Sequence, residues 1–153
     1  MRLDELLGAR AKGAGEYIAK FAASFGVTGI RHPDRIPNTR RALAIAEWAR
    51  EQGKLDPWRQ AAMSAHWERG LDIESDADLR TLAQEVGLDP AAALRAADDP
   101  KYQAIIDAVR AESESIGVTG IPTFVFPAAN LGLVGCQPYE ALAEVAQEAG
   151  AKR

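Results

Sequence analysis

Helix terminators recur along this chain more regularly than any other signal, and they restrict it to a set of short helices. Pro37-Asn38-Thr39, Asp56-Pro57, Ser75 with Asp78, Asp89-Pro90 and Pro100 each open a stretch of helical periodicity. Asn, Asp, Ser and Thr side chains accept hydrogen bonds from the free N–H groups of a first turn, and proline at the first helical position forfeits none. Ser75 and Asp78 have capping-box spacing. Gly53, Gly70, Gly87 and Gly117 stand where these stretches end, as suits the residue after a helix C-terminus.

The spacing predicts a helix from about Thr39 to Gln52, with Ala42, Leu43, Ile45, Ala46, Trp48 and Ala49 on its apolar face. A second, capped by Asp56, runs through Trp58, Ala61, Ala62, Ala65 and His66 to Gly70, and the two are expected to form an antiparallel pair. Further helices are predicted from Asp76 to Gly87, from Pro90 to near Asp98, and from Lys101 to Ile116 through Tyr102, Ile105, Ile106 and Val109.

Upstream, Leu3, Leu6, Leu7, Tyr17, Ile18, Phe21, Ala22 and Phe25 form an intermittent apolar stripe. Gly8, Gly13 and Gly15 interrupt it, each costing about 1 kcal/mol against alanine in a helix interior, so two short helices or one frayed one are expected. Residues 26–33 read as a loop with a short extended piece, because Gly26, Gly29 and Pro33 stand close together. Downstream of Pro122 the character changes. Thr123-Phe124-Val125-Phe126 and Leu131-Gly132-Leu133-Val134-Gly135 are branched and aromatic runs flanking a Pro-Ala-Ala-Asn turn, the pattern of a β-hairpin. Gln137-Pro138-Tyr139-Glu140 then opens a last helix whose Leu142, Val145 and Ala146 would cover one hairpin face. The pentapeptide Gly-Val-Thr-Gly-Ile at 26–30 and 117–121 has unlike flanks and reads as two similar helix ends.

Composition excludes several functions. A net charge of -4 opposes phosphate-backbone binding, so no nucleic-acid partner is expected. The first residues lack an unbroken apolar core for export, and no window is apolar for the 18 or so residues a bilayer span needs, so a cytoplasmic protein with no membrane partner is expected. Cys136 is the single cysteine of the 153 residues, which leaves no intramolecular disulfide and no C-x-x-C pair. With only His32 and His66 beside it, a zinc tetrad is not available, and neither metal nor cofactor is expected. The acidic run Asp72, Glu74, Asp76 and Asp78 lacks the central glycine and closing glutamate of an EF-hand and reads as a solvated helix start. His66 has no orienting carboxylate and nucleophile nearby in sequence and reads as a surface or half-buried histidine. Trp48, Trp58 and Trp67 read as core.

Gly117-Val118-Thr119-Gly120-Ile121-Pro122-Thr123-Phe124-Val125-Phe126, followed by Val134-Gly135-Cys136-Gln137-Pro138-Tyr139-Glu140, resembles the DsbA-like branch of the thioredoxin superfamily, most closely its FrnE-type members. Pro37-Asn38-Thr39, Glu68, Gly70, Asp72-Ile73, Leu82-Ala83 and Gly87-Leu88-Asp89 extend the likeness, so it covers roughly residues 3 to 150. The resemblance implies an α+β, mainly helical fold in a single domain: a helical insertion over residues 3–116 and a thioredoxin-like remnant, hairpin plus C-terminal helix, over 117–150. A family member begins with a strand, a C-x-x-C helix and a second strand, and this chain resembles the portion beyond those three elements.

The resemblance also implies that Ile121-Pro122 is the cis-proline bond that holds an extended substrate, so Gly120, Ile121 and Pro122 are the candidate binding residues. At the position of Cys136 the family usually has a small residue, often alanine, which leads us to expect a packed and inert thiol. A catalytic Cys136 would need a depressed pKa, for which its place before the helix start at Gln137-Pro138 is one favourable feature. Three functions are compatible with this: a non-catalytic peptide-binding or regulatory module, the C-terminal portion of a split oxidoreductase, or a monothiol enzyme acting through Cys136, possible substrates being an extended peptide or glutathione. A two-stranded hairpin lacking its neighbour strand exposes unpaired backbone groups, so a homodimer through that edge or through apolar helix faces is expected.

Overall fold

The structure is a computed structural model that describes residue 5, residues 11–31 and residues 35–151; Leu3, Leu6, Leu7, Gly8 and His32 lie outside the described residues. The chain divides into two compact units, Met1–Asp107 and Ala108–Arg153.

In the first unit, α1 (Ala11–Ser24) is one continuous helix despite Gly13 and Gly15. It ends where the sequence places its end: Gly26 has φ 77°, its N–H donates to Ala23 O and the Val27 N–H to Ala22 O. These are the paired bonds of a Schellman cap. The loop after it is held by the Arg31 amide, which donates to Trp67 O at 2.6 Å.

Next come α2 (Arg40–Glu51), α3 (Leu55–Ser64), a π-helical turn over Ala65–Arg69, α4 (Asp76–Glu85) and α5 (Pro90–Ala97). Asn38 opens α2, its Oδ1 accepting from Arg40 N at 3.0 Å. Ser75 Oγ accepts from Asp78 N at 3.1 Å and Asp89 Oδ1 from Ala92 N at 2.6 Å, so both caps form as their sequences specify. The return arm of the capping box does not form, because Asp78 Oδ2 accepts from the Asp72 amide at 2.8 Å instead.

One start is corrected. Asp56 does not cap α3, which begins at Leu55 after Lys54 and carries Asp56 and Pro57 inside its first turn. The first four N–H groups of a helix have no partner within it, so proline fits at the third helical position, two further in, at no loss.

Ile45, Trp58, Leu79 and Leu82 are fully buried at the centre of this unit. Ala42 and Ala49 of α2 and Ala93 and Ala97 of α5 are buried in the same core, and the two helices are in contact. Burying each large side chain contributes about 1.5–3 kcal/mol. The Trp58 indole keeps its hydrogen bond inside this core, donating to Ala42 O at 3.0 Å.

The acidic run is not merely solvated. Arg41 makes a two-pronged bond to Asp98, at 2.9 and 3.0 Å, and reaches Asp76 at 2.7 Å. Arg35 pairs with Glu74 and Asp72. The acids thus receive arginines from α2 and from the segment before it.

The helix α6 (Pro100–Ser115) runs across the division between the units. In the first, the buried Tyr102 donates its hydroxyl to Glu51 at 2.8 Å. In the second, α6 ends at Gly117 (φ 77°), with the Val118 N–H on Ser113 O and the Gly117 N–H on Glu114 O. Both copies of Gly-Val-Thr-Gly-Ile therefore terminate a helix with the same pair of bonds.

An antiparallel hairpin comes next, β1 (Thr123–Phe126) and β2 (Leu131–Val134), joined by a 3-10 turn at Pro127–Ala129 and by Asn130 in the left-handed region. The last helix, α7 (Tyr139–Glu148), packs on β2, with Leu142, Val145 and Ala146 half-buried. The chain is mainly helical with a small antiparallel sheet, the expected class. Among the described residues of the second unit, no side chain is fully buried.

Candidate functional site

The hairpin positions the candidate residues. Thr123 lies opposite Val134, Phe124 opposite Leu133, Val125 opposite Gly132 and Phe126 opposite Leu131. One step earlier the Gly135 amide donates to Pro122 O at 2.7 Å. Antiparallel pairs alternate between hydrogen-bonded and non-hydrogen-bonded. The backbone groups of Phe124 and Phe126 therefore point into the hairpin, and those of Thr123 and Val125 point away from it. The sheet has two strands among the described residues, so the outer side of β1 has no neighbour there.

Gly120, Ile121 and Pro122 form the bend that leads into this edge. The Ile121-Pro122 peptide bond is cis. Thr123 Oγ1 donates to Gly120 O at 2.6 Å and ties the bend to the adjoining strand. Ile121 is 91% exposed, and its backbone N–H and C=O have no partner among the described residues. Phe124, Val125 and Val134 are exposed beside it. Residues 116–139 contain no Asp, Glu, Lys, Arg or His, in a chain of which 26% is charged. The surface therefore offers apolar side chains and backbone hydrogen bonds, and no ion pair.

Cys136 lies just past β2, before α7, and is exposed. The expectation of a packed thiol is corrected: the turn between β2 and α7 carries it on the outside of the second unit. Gln137 donates to Val134 O at 2.8 Å and braces this turn.

His66 belongs to the other unit. It is half-buried, stacks edge-on against Trp67, and burial lowers its pKa. No cluster of three His, Cys, Asp or Glu side chains among the described residues is placed to hold a metal ion. No helix among them is long and apolar enough to cross a membrane. The charge-free stretch and the Arg41 clamp were not anticipated; the first could have been found by scanning for windows without charge.

The family model of the DSBA-like thioredoxin domain matches residues 3–147. No curated protein matches the chain. Among solved structures, the crystal structure of a probable DsbA oxidoreductase from Streptomyces coelicolor is similar with a TM-score of 0.77 and 25% sequence identity, covering 99% of this chain and 68% of that one.

Proposed function

Since the chain belongs to the DSBA-like thioredoxin domain family, we propose that it serves as a non-catalytic binding or regulatory module, taking up an extended polypeptide at the Gly120-Ile121-Pro122 bend and the adjoining edge of β1. The observation that carries this reading is the cysteine inventory. The 153 residues hold only Cys136, and a dithiol–disulfide cycle within one chain needs two sulfurs. The site's own resources are suited to strand addition, in which backbone bonds supply affinity and side-chain pockets select the partner. Thr123 and Val125 present N–H and C=O groups outward, and Ile121, Phe124 and Val125 present apolar side chains.

Two measurements test it. Insulin reduction by the purified chain should show no turnover, and turnover that disappears in Cys136→Ser would overturn the reading. A fluorescein-labelled Val-Thr-Val-Thr-Val peptide should gain anisotropy on titration with the protein, and an unchanged signal up to millimolar protein would count equally against it.

A second reading draws on the coverage of 68% of the Streptomyces coelicolor protein. Here the chain is the C-terminal portion of a FrnE-type disulfide oxidoreductase whose cysteine pair is supplied by another segment. An in-frame C-x-x-C in the DNA upstream of Met1 would favour it over the first. A monothiol or glutathione-linked enzyme is the third reading, and the exposure of Cys136 supports it.

A further inference from the structure

Among the described residues the outer edge of β1 has no neighbour strand, and it is short and bounded. The chain bends over residues 120–122, so the straight part of the edge starts at Thr123. At the other end Pro127 has no N–H, and its carbonyl accepts from the Asn130 amide. Two residues, Thr123 and Val125, therefore carry outward donors and acceptors on this edge. A strand that fills it must offer two such residues at the same spacing, and the edge itself meets that requirement when rotated by a two-fold axis.

We infer that β1 of one copy pairs antiparallel with β1 of a second, Thr123 of each opposite Val125 of the other, giving a continuous four-stranded sheet. This register uses both N–H and both C=O groups on each edge, in four inter-chain bonds. Shifted registers use fewer, because Pro127 or the bend then falls opposite a donor. Phe124 of one copy lies opposite Phe124 of the other in the central non-hydrogen-bonded pair, where side chains approach most closely. Charge supports a second copy as the occupant. The chain has a net charge of -4, which opposes self-association in general, yet residues 116–139 are free of charge and bring no like charges together.

The inference rests on the reading of this edge as a binding surface and adds its regulation: the second copy covers the edge until an extended partner displaces it.

The test is sedimentation velocity of the full chain at 1–100 µM, roughly the range in which modest interfaces associate. Wild type should sediment at twice 16.4 kDa. Val125→Pro should sediment as a monomer with an unchanged far-ultraviolet spectrum, because proline is tolerated on an edge strand and this one removes an outward N–H. Phe124→Glu and Phe124→Lys should each be monomeric, and a 1:1 mixture of them should return to the dimer, a rescue that loss of folding could not produce. A monomeric wild type, a dimeric Val125→Pro or a mixture that stays monomeric would each overturn the inference. Anisotropy of the labelled Val-Thr-Val-Thr-Val peptide separates this from the functional reading: a monomeric wild type that binds the peptide sinks the dimer alone, and a dimeric wild type that neither binds the peptide nor dissociates at millimolar peptide sinks the binding reading alone.

Discussion

The amide of Gly135 donates to the carbonyl of Pro122 at 2.7 Å, and this bond sets which backbone groups of β1 face β2 and which face outward. The resulting alternation leaves Thr123 and Val125 on the open side. Pro122 thus serves the hairpin as an acceptor on one side while its ring interrupts the edge on the other.

Thr123→Val keeps the branched shape and removes the hydroxyl bond to Gly120 O. A hydrogen bond of this kind contributes about 1 kcal/mol. The bend should loosen relative to β1, and binding of the labelled extended peptide should weaken on the order of five-fold, measured by anisotropy at fixed temperature.

Trp58→Ala removes the largest fully buried side chain of the first unit and with it the donor to Ala42 O. The expected loss of stability is about 3–5 kcal/mol, read as a shift of the urea midpoint at constant slope. Tyr17→Ala, at an exposed aromatic of α1, should stay within about 0.5 kcal/mol of wild type.

Arg41→Met removes the two-pronged bond to Asp98 and the bond to Asp76 while keeping the stem. The side chain is 28% exposed, so solvent screens part of the attraction and a loss of about 1–2 kcal/mol is expected. Added salt should narrow the gap between variant and wild type in the same urea titration.

Two groups make stability depend on pH with the same sign. Burial lowers the His66 pKa in the folded protein. Below about pH 6.5 the unfolded chain therefore takes up a proton first, and stability falls with pH until the folded imidazole is protonated too. Glu74 is held below the usual carboxylate range by the Asn38 amide and then by Arg35. Its contribution is present above about pH 4.3 and disappears as pH falls through the lower folded value. His66→Gln should flatten the upper slope and Glu74→Gln the lower one, in thermal melts taken from pH 8 to pH 3.

Much of this architecture was legible from short-range chemistry. Ser75 and Asp89 cap because their partners are three residues away, and the twin Gly-Val-Thr-Gly-Ile ends form because the Schellman bonds span a single turn. The start of α3 differs for a related reason: Asp56-Pro57 has the form of a cap, but proline is equally acceptable two positions deeper, and the helix begins instead at Leu55, which packs against the core. The arginine clamps were invisible. Arg41 meets Asp98 across 57 positions of sequence, and no local rule pairs them. At the candidate site, the hairpin was legible from two branched and aromatic runs around a Pro-Ala-Ala-Asn turn, while its register came from the structure and the exposure of Cys136 depends on how neighbouring segments cover the turn after β2.

Where no side chain from Ala108 to Ala151 is fully buried, replacing one rarely opens a cavity, so substitutions there are inexpensive to the fold. Drift across this unit is consequently filtered by what the surface touches. A lineage comparison restricted to it would report on partners, and one restricted to the surroundings of Trp58 would report on packing.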